Sequence, residues 1–305
     1  MDEKYSIFHI EGGLGKHVAA TSIAKCIKNN HQDRKLIIVC GYPEVFLNLT
    51  CVDRVYRIGT TPYFYDDYIH NRDSIIFKHE PYFTTEHIHK KLPLIENWCK
   101  LYNLEYNGEQ PELKFNLRQR QIAYNKWNRD KPIMVIHTNG GPMTEQPHPF
   151  SWTRDMPMDL AQEIVNGYSQ DYHIIQVCRD KSMALNSYMG NDVEVVSDTM
   201  SNMELFSLLM LSEKRLLIDS SLQHAAAAMG LPSTVIWVGT DPKVFGYNIH
   251  SNIKANLSDD DMKLPESYLF DYSFNGVTHE CPLFGEVPMF DINDITDSLN
   301  KWFKI

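Results

Sequence analysis

Two short segments gather residue types that can hold a phosphate. The first, Asp219-Ser220-Ser221-Leu222-Gln223-His224, lies where an apolar run gives way to an alanine-rich stretch. Small hydroxyl residues at a helix start leave room for an anion and add donors. The unpaired N–H groups and positive dipole end of the helix favour that anion further, by about 0.3–1 kcal/mol for an exposed contact. The same residues would also serve as an ordinary N-cap. The second segment, Glu11-Gly12-Gly13-Leu14-Gly15-Lys16, resembles two phosphate loops and satisfies neither. A P-loop requires glycine where Ile10 stands and serine or threonine where His17 stands. The dinucleotide fingerprint requires a third glycine where Val18 stands. These departures argue against an ATPase or a dehydrogenase. Gly13 and Gly15 still allow close backbone approach to a ligand, and Lys16 adds a charge in the first turn of the helix that follows.

Such loops work only at the ends of strands, and the hydrophobic pattern supplies the strands. Tyr5–Ile10, Lys35–Cys40 and Val52–Ile58 read as strands; Lys16–Asn29 reads as a helix and Pro43–Leu49 as a short one. The stretch from Gly59 to Phe83 is aromatic and poorly periodic, and reads as long loops around one strand at Ser74–Phe77. Helices are expected at Thr85–Tyr102 and within Leu113–Trp127. A second series follows: strands at Pro132–His137, Tyr172–Cys178, Val193–Val196, Lys214–Ile218 and Ser233–Val238. Its helices are at Asp159–Tyr168, Asn202–Leu211, Asp219–Met229 and Ile292–Phe303. Alternating strands and helices predict parallel sheets covered on both faces, an α/β fold of two Rossmann-like doubly wound units. The expected divisions are 1–128, 129–290 and a terminal helix at 291–305.

Composition bounds the function. The chain has 305 residues, 43% hydrophobic and 22% charged, which suits two globular domains and excludes a disordered or fibrous chain. No apolar run is long enough to span a membrane, and the acidic N-terminus is no signal peptide, so a cytoplasmic location is expected. Cys26, Cys40, Cys51, Cys99, Cys178 and Cys281 have no metal-site spacing and read as reduced structural thiols. The net charge of −10 argues against a general nucleic-acid surface, while leaving room for a local basic patch.

The stretch IDSSLQHAAAAMGLPSTVIWVGTDP resembles the Asp-small-small-x-x-His helix, Gly-x-Pro, strand and Gly-Thr-Asp-Pro of the ADP-heptose:lipopolysaccharide heptosyltransferases, family-nine glycosyltransferases of the GT-B fold. VIHTNGG and SWTRDMP are similar to that family's loop after the first strand of its C-terminal domain and to its basic/Trp/Pro segment. GKHVAATSIAKCI resembles its first helix more loosely. The resemblance implies two Rossmann-like domains facing across a cleft, and transfer of a sugar from a nucleotide-diphosphate donor to a hydroxyl of a glycan acceptor. Inversion at the anomeric carbon and no cofactor or metal are implied too. It places the nucleotide and diphosphate on Asp219, Ser220, Ser221, Leu222 and His224, with Asn139 and Gly140 beside the phosphates and Arg154 near the family's basic residue.

One position departs from the family. Its proposed base, an aspartate after the first-helix glycine, aligns with Lys16, and a protonated lysine cannot remove a proton at neutral pH. Lys16 would then bind phosphate or an anionic acceptor, and Glu11, His17 and Glu80 become the candidate bases. Tyr63, Phe64, Tyr65, Asp66, Asp67 and Tyr68 could stack on and hydrogen-bond a glycan, or pack a loop onto its own domain. Phe245–His250 could edge the donor pocket or simply cross the surface. Asp259-Asp260-Asp261 has a metal site's formal spacing but reads as an acidic surface run. Two alternatives stay open: a glycosyltransferase acting on modified DNA bases, and a binding protein of this fold that has lost catalysis.

Overall fold

The structure, a computed structural model, describes residues 3–140, 151–178, 181–196, 200–258, 260–262, 264 and 288–301. The chain divides into two compact units, Met1–Leu117 and Arg118–Ile305. The division falls at the start of the helix Leu117–Trp127.

In the first unit, the continuous apolar run of β1 (Lys4–Ile10) suits a strand covered on both faces. It is followed by α1 (Leu14–Asn30), β2 (Lys35–Cys40), β3 (Arg54–Arg57), α2 (Phe64–Tyr68), β4 (Asp73–Phe77), α3 (Thr85–Ile88) and α4 (Leu94–Leu101). The strands are parallel in the order β3-β2-β1-β4. Register sets the layers. Phe8, beside Ile38 and Phe77, packs edge-on against Trp98 of α4 at 5.7 Å. On the opposite face Tyr5, Ile7, Ile37 and Val39 form a second cluster with Tyr68 and Phe64 of α2. The aromatic stretch expected to be loop therefore contains a short helix whose inner residues are core.

The expected single helix over Thr85–Tyr102 is two. Lys90 adopts a left-handed φ of 52°, and Pro93, which cannot sit inside a helix, heads α4. Pro43–Val45 is one 3-10 turn rather than a helix. Cys26 of α1 meets Cys99 of α4 with sulfurs 3.3 Å apart, and the described cysteines are free thiols; Cys281 lies outside the described residues.

The second unit comprises α5 (Leu117–Trp127), β5 (Ile133–His137), α6 (Met158–Tyr168), β6 (His173–Val177), β7 (Glu194–Val196), α7 (Asn202–Leu211), β8 (Lys214–Ile218), α8 (Ser221–Ala228), β9 (Thr234–Trp237), α9 (Pro242–Phe245), β10 (Ser251–Lys254) and α10 (Ile292–Lys301). Its six-stranded parallel sheet has the order β10-β9-β8-β5-β6-β7. β10 was not among the expected strands; its four residues alternate in burial at the sheet edge. Met134, Ile136, Leu216, Ile218 and Ile236 form one core with Ala161, Ile164 and Val165 of α6 and Ile295 and Leu299 of α10. Two polar contacts fix α10 there: the Lys214 ammonium donates to the Leu299 carbonyl at 2.7 Å, and Ser298 and Thr234 share a hydrogen bond of 2.6 Å. At the other end Trp127 of α5 donates its indole N–H to Ser207 of α7.

Both sheets reverse direction once. After β3 the chain returns past β1 to lay down β4, and after β7 it returns past β5 to lay down β8. At such a switch point the loops leaving adjacent strands part in opposite directions and open a crevice at the carboxyl edge.

Candidate functional site

The β5/β8 switch point of the second unit holds most of the expected donor-site residues. β8 ends in Asp219, and Ser220 caps α8 by accepting the Leu222 N–H at 3.2 Å. The remaining first-turn N–H groups of a helix have no partner within it. β5 ends at His137, whose Nδ1 lies 2.9 Å from the Ser220 hydroxyl. A Cβ added to Gly140 would stand 3.6 Å from Ser220 Cβ and 3.8 Å from the His137 ring, so the loop after β5 runs directly against the start of α8. Asn139 is buried, with its amide turned to the Thr138 hydroxyl at 3.3 Å. His137 was not among the expected residues. Its signal was its place as the last residue of a buried strand.

The segment 151–157 brings in the cation. Trp152 and Met156 are buried in the core. The Met156 N–H donates to the Thr138 carbonyl, and the Gly239 N–H to the Thr153 carbonyl, both at 2.7 Å. Gly239 permits this approach, since a Cβ there would lie 2.9 Å from both Thr153 and Leu264. The segment is thus pinned across the ends of β5 and β9, and its Arg154 charge acts on Asp219. Burial raises the Asp219 carboxyl above its ordinary range; Arg154, with the side chains of Thr240 and Gln223, pulls it back.

His224, one turn into α8, is buried, and its Nδ1 lies 2.8 Å from the Tyr247 hydroxyl. Burial, with His250 nearby, lowers its pKa to about 3, so the ring is neutral. The stretch Phe245–His250 braces α8 from behind: the Phe245 carbonyl accepts from Gln223 at 3.1 Å, and His250 donates to the Gln223 carbonyl at 3.0 Å. Ser221 is half-buried and Leu222 buried at the same helix start.

The β1/β4 switch point of the first unit is built differently. Gly12 takes a φ of +100°, and Gly13 is the N-cap of α1. Lys16, expected to meet a phosphate or an anionic acceptor, is buried and ion-paired with Glu80 from the segment after β4. Its ammonium also stands 5.4 Å from the ring centres of Tyr82 and Trp98. Two of the candidate catalytic residues are therefore each other's partner. One Glu80 oxygen is buried without a hydrogen bond. His17 is fully buried; its Nδ1–H donates to the Gly13 carbonyl at 2.9 Å, and its Nε2 accepts the Gly41 N–H at 3.1 Å. Both nitrogens are committed to backbone, and burial lowers its pKa. That arrangement fixes the turn and leaves no lone pair for a substrate proton. Glu11 is exposed, 3.6 Å from His9 Nδ1. Gly15 lies in the first turn of α1, and its neighbour Lys16 faces inward.

At α2, the N-cap Tyr63 and Tyr65 of the helix are exposed at 78% and 75%, with Asp66 and Asp67 also exposed, whereas Phe64 and Tyr68 pack inward. In the acidic run, Asp261 accepts from the Ser258 N–H and hydroxyl at 2.9 and 2.7 Å; Asp259 lies outside the described residues. Among the described residues no helix is long and apolar enough to cross a membrane.

No family profile matches the chain, and no curated protein matches it in sequence. Solved structures do match in fold. A glycosyltransferase of family 9 from Veillonella parvula superposes with a TM-score of 0.70 at 10% identity, covering 99% of this chain and 98% of that one. The ADP-heptose lipopolysaccharide heptosyltransferase II of E. coli gives 0.64 at 12% identity, covering 97% and 99%. The E. coli heptosyltransferase WaaC with ADP gives 0.54 at 13% identity, covering 82% and 93%. The fold is that of the GT-B heptosyltransferases.

Proposed function

We propose that this chain is a glycosyltransferase that moves a sugar from a nucleoside-diphosphate donor to a hydroxyl acceptor. The observation that carries this reading is the convergence at the β5/β8 edge. There a capped helix start, Arg154, neutral His224 and the His137–Ser220 pair surround the place where an anion is favoured. In this reading the α8 N–H groups and Arg154 take up the charge that develops on the leaving diphosphate. Asn139 and Gly140 contribute backbone beside it. No metal is assigned a part, and the product is inverted at the anomeric carbon. The acceptor is a glycan taken up by the first unit, where Tyr63, Tyr65, Asp66 and Asp67 offer ring faces and acceptor oxygens. The shared fold with a heptosyltransferase solved with ADP supports ADP-heptose as the donor to try first.

The test is calorimetry and thermal shift against ADP, UDP, GDP, CDP and their common sugars. A ligand that binds the native state raises its melting temperature by mass action. One base should bind, and His224→Ala should weaken it about tenfold, the worth of one hydrogen bond. Binding without release of sugar would favour a non-catalytic protein. Salt-dependent binding of duplex DNA in place of any nucleotide would favour the base-modifying alternative. No binding across the nucleotide set would overturn the reading.

A further inference from the structure

The first unit lacks a proton acceptor at the place where the resembling family has one, because Lys16 stands there and is bound to Glu80. His17 has no free nitrogen. The same carboxyl edge nevertheless presents another imidazole. His9 is the next-to-last residue of β1, with its side chain 18% exposed. Among the described residues no hydrogen bond reaches either of its ring nitrogens. Val39 of β2 is its apolar neighbour in register. The Glu11 carboxylate stands 3.6 Å from its Nδ1, and Lys78, just past β4, stands 4.0 Å from the same carboxylate oxygen.

We propose that His9 takes the proton of the acceptor hydroxyl, and that Glu11 positions and stabilises the ring once it is charged; this rests on the glycosyltransferase reading above. Burial, then Lys78, hold the His9 pKa below its ordinary value, and Glu11 opposes them. The resting ring is therefore neutral near pH 7, with an open lone pair, which is the state a general base needs. In the step, the acceptor oxygen forms its bond to the anomeric carbon of the donor while its proton passes to a ring nitrogen. The bond from that carbon to the diphosphate oxygen breaks, and the diphosphate leaves with the electron pair. The imidazolium so formed faces Glu11 and returns its proton to water.

The test uses the full chain, ADP-heptose as donor, and water or azide as the attacking group. Water must lose a proton to attack, and azide need not. For the unaltered protein, ADP release into water should rise with pH through a value below 6.5 and then level off. His9→Gln should lower that rate about 100-fold or more and abolish the rise. Its attack by azide should stay within about threefold, and its affinity for ADP should be unchanged. Glu11→Gln should move the rise to lower pH, because the imidazolium loses its counter-charge. If the unaltered protein consumes ADP-heptose and His9→Gln keeps both rate and pH rise, the inference fails while the glycosyltransferase reading stands. Equal loss with water and azide at unchanged ADP affinity would mark His9 as structural and also overturn it. An unaltered protein that neither binds nor consumes ADP-heptose would take down both.

Discussion

The two carboxyl edges share a topology and differ in how they handle charge. At β5/β8 the helix start is uncharged apart from buried Asp219, its histidine is neutral, and its cation, Arg154, arrives from a distant segment. At β1/β4 the helix-start cation is already neutralised by Glu80 and walled in by Tyr82 and Trp98. The first edge suits an arriving anion; the second has satisfied itself and leaves a partly covered imidazole beside an exposed carboxylate. A switch point supplies a crevice, and the residues on its two loops decide what enters it.

The largest expected effect erases the difference between the units. Burial lowers the pKa of His87 and His250 to about 4 and that of His224 to about 3. These rings stay neutral in the fold and charge on unfolding, so their stabilisation is present above the ordinary pKa near 6.5 and is lost as pH falls toward 4. Each contributes up to about 1.4 kcal/mol per pH unit in that window. Asp219, shifted upward, opposes this. Urea midpoints measured between pH 7 and 4.5 should fall together for probes in both units; a flat profile would refute the burial of these rings.

Next in size, Ser220→Asp keeps a good N-cap but sets a negative charge where the anion is expected. Like charges brought together cost several kcal/mol. ADP affinity by calorimetry should drop by about 100-fold or more, with the melting temperature unchanged or raised. Retained affinity would show that the β5/β8 edge is not the diphosphate site.

Smallest, and confined to the other edge, Lys16→Met strands a Glu80 carboxylate that is 29% exposed and already has one oxygen unpaired. Breaking a buried pair costs roughly 3–5 kcal/mol. The partial exposure of Glu80 reduces this to about 2 kcal/mol. The double change Lys16→Met with Glu80→Gln should recover most of it, and ADP affinity should hold throughout. A loss of ADP binding in Lys16→Met would mean that the two edges do not divide the work as described.

How much of this was legible in the sequence depended on distance along the chain. The helix Asn202–Leu211 and the strand Lys214–Ile218 were readable to the residue, because period and capping are local. So was the adjacency of Asp219, Ser220 and His224. The break between α3 and α4 is a local signal as well, carried by Pro93. The Lys16–Glu80 pair was not readable: 64 residues separate them, and only the β1–β4 pairing brings them together. For the same reason the sequence does not distinguish His17 from His9. Both are histidines beside a glycine turn; only the fold shows that one is fully bonded and the other open. The apposition of His137 and Ser220 depends likewise on β5 lying beside β8.

The anchoring of α10 bears on the order in which the chain acquires structure during synthesis. The first unit has all its strands and helices once residue 117 has emerged, and can close its core while the rest is being made. The second cannot. Ile295 and Leu299 fill its core, and Leu299 supplies the carbonyl that receives buried Lys214. Until residues 292–301 leave the ribosome, β8 and β9 wait with an apolar flank uncovered. The second unit is therefore the half whose core closes last, and a stop only a few residues before the end would leave that core open.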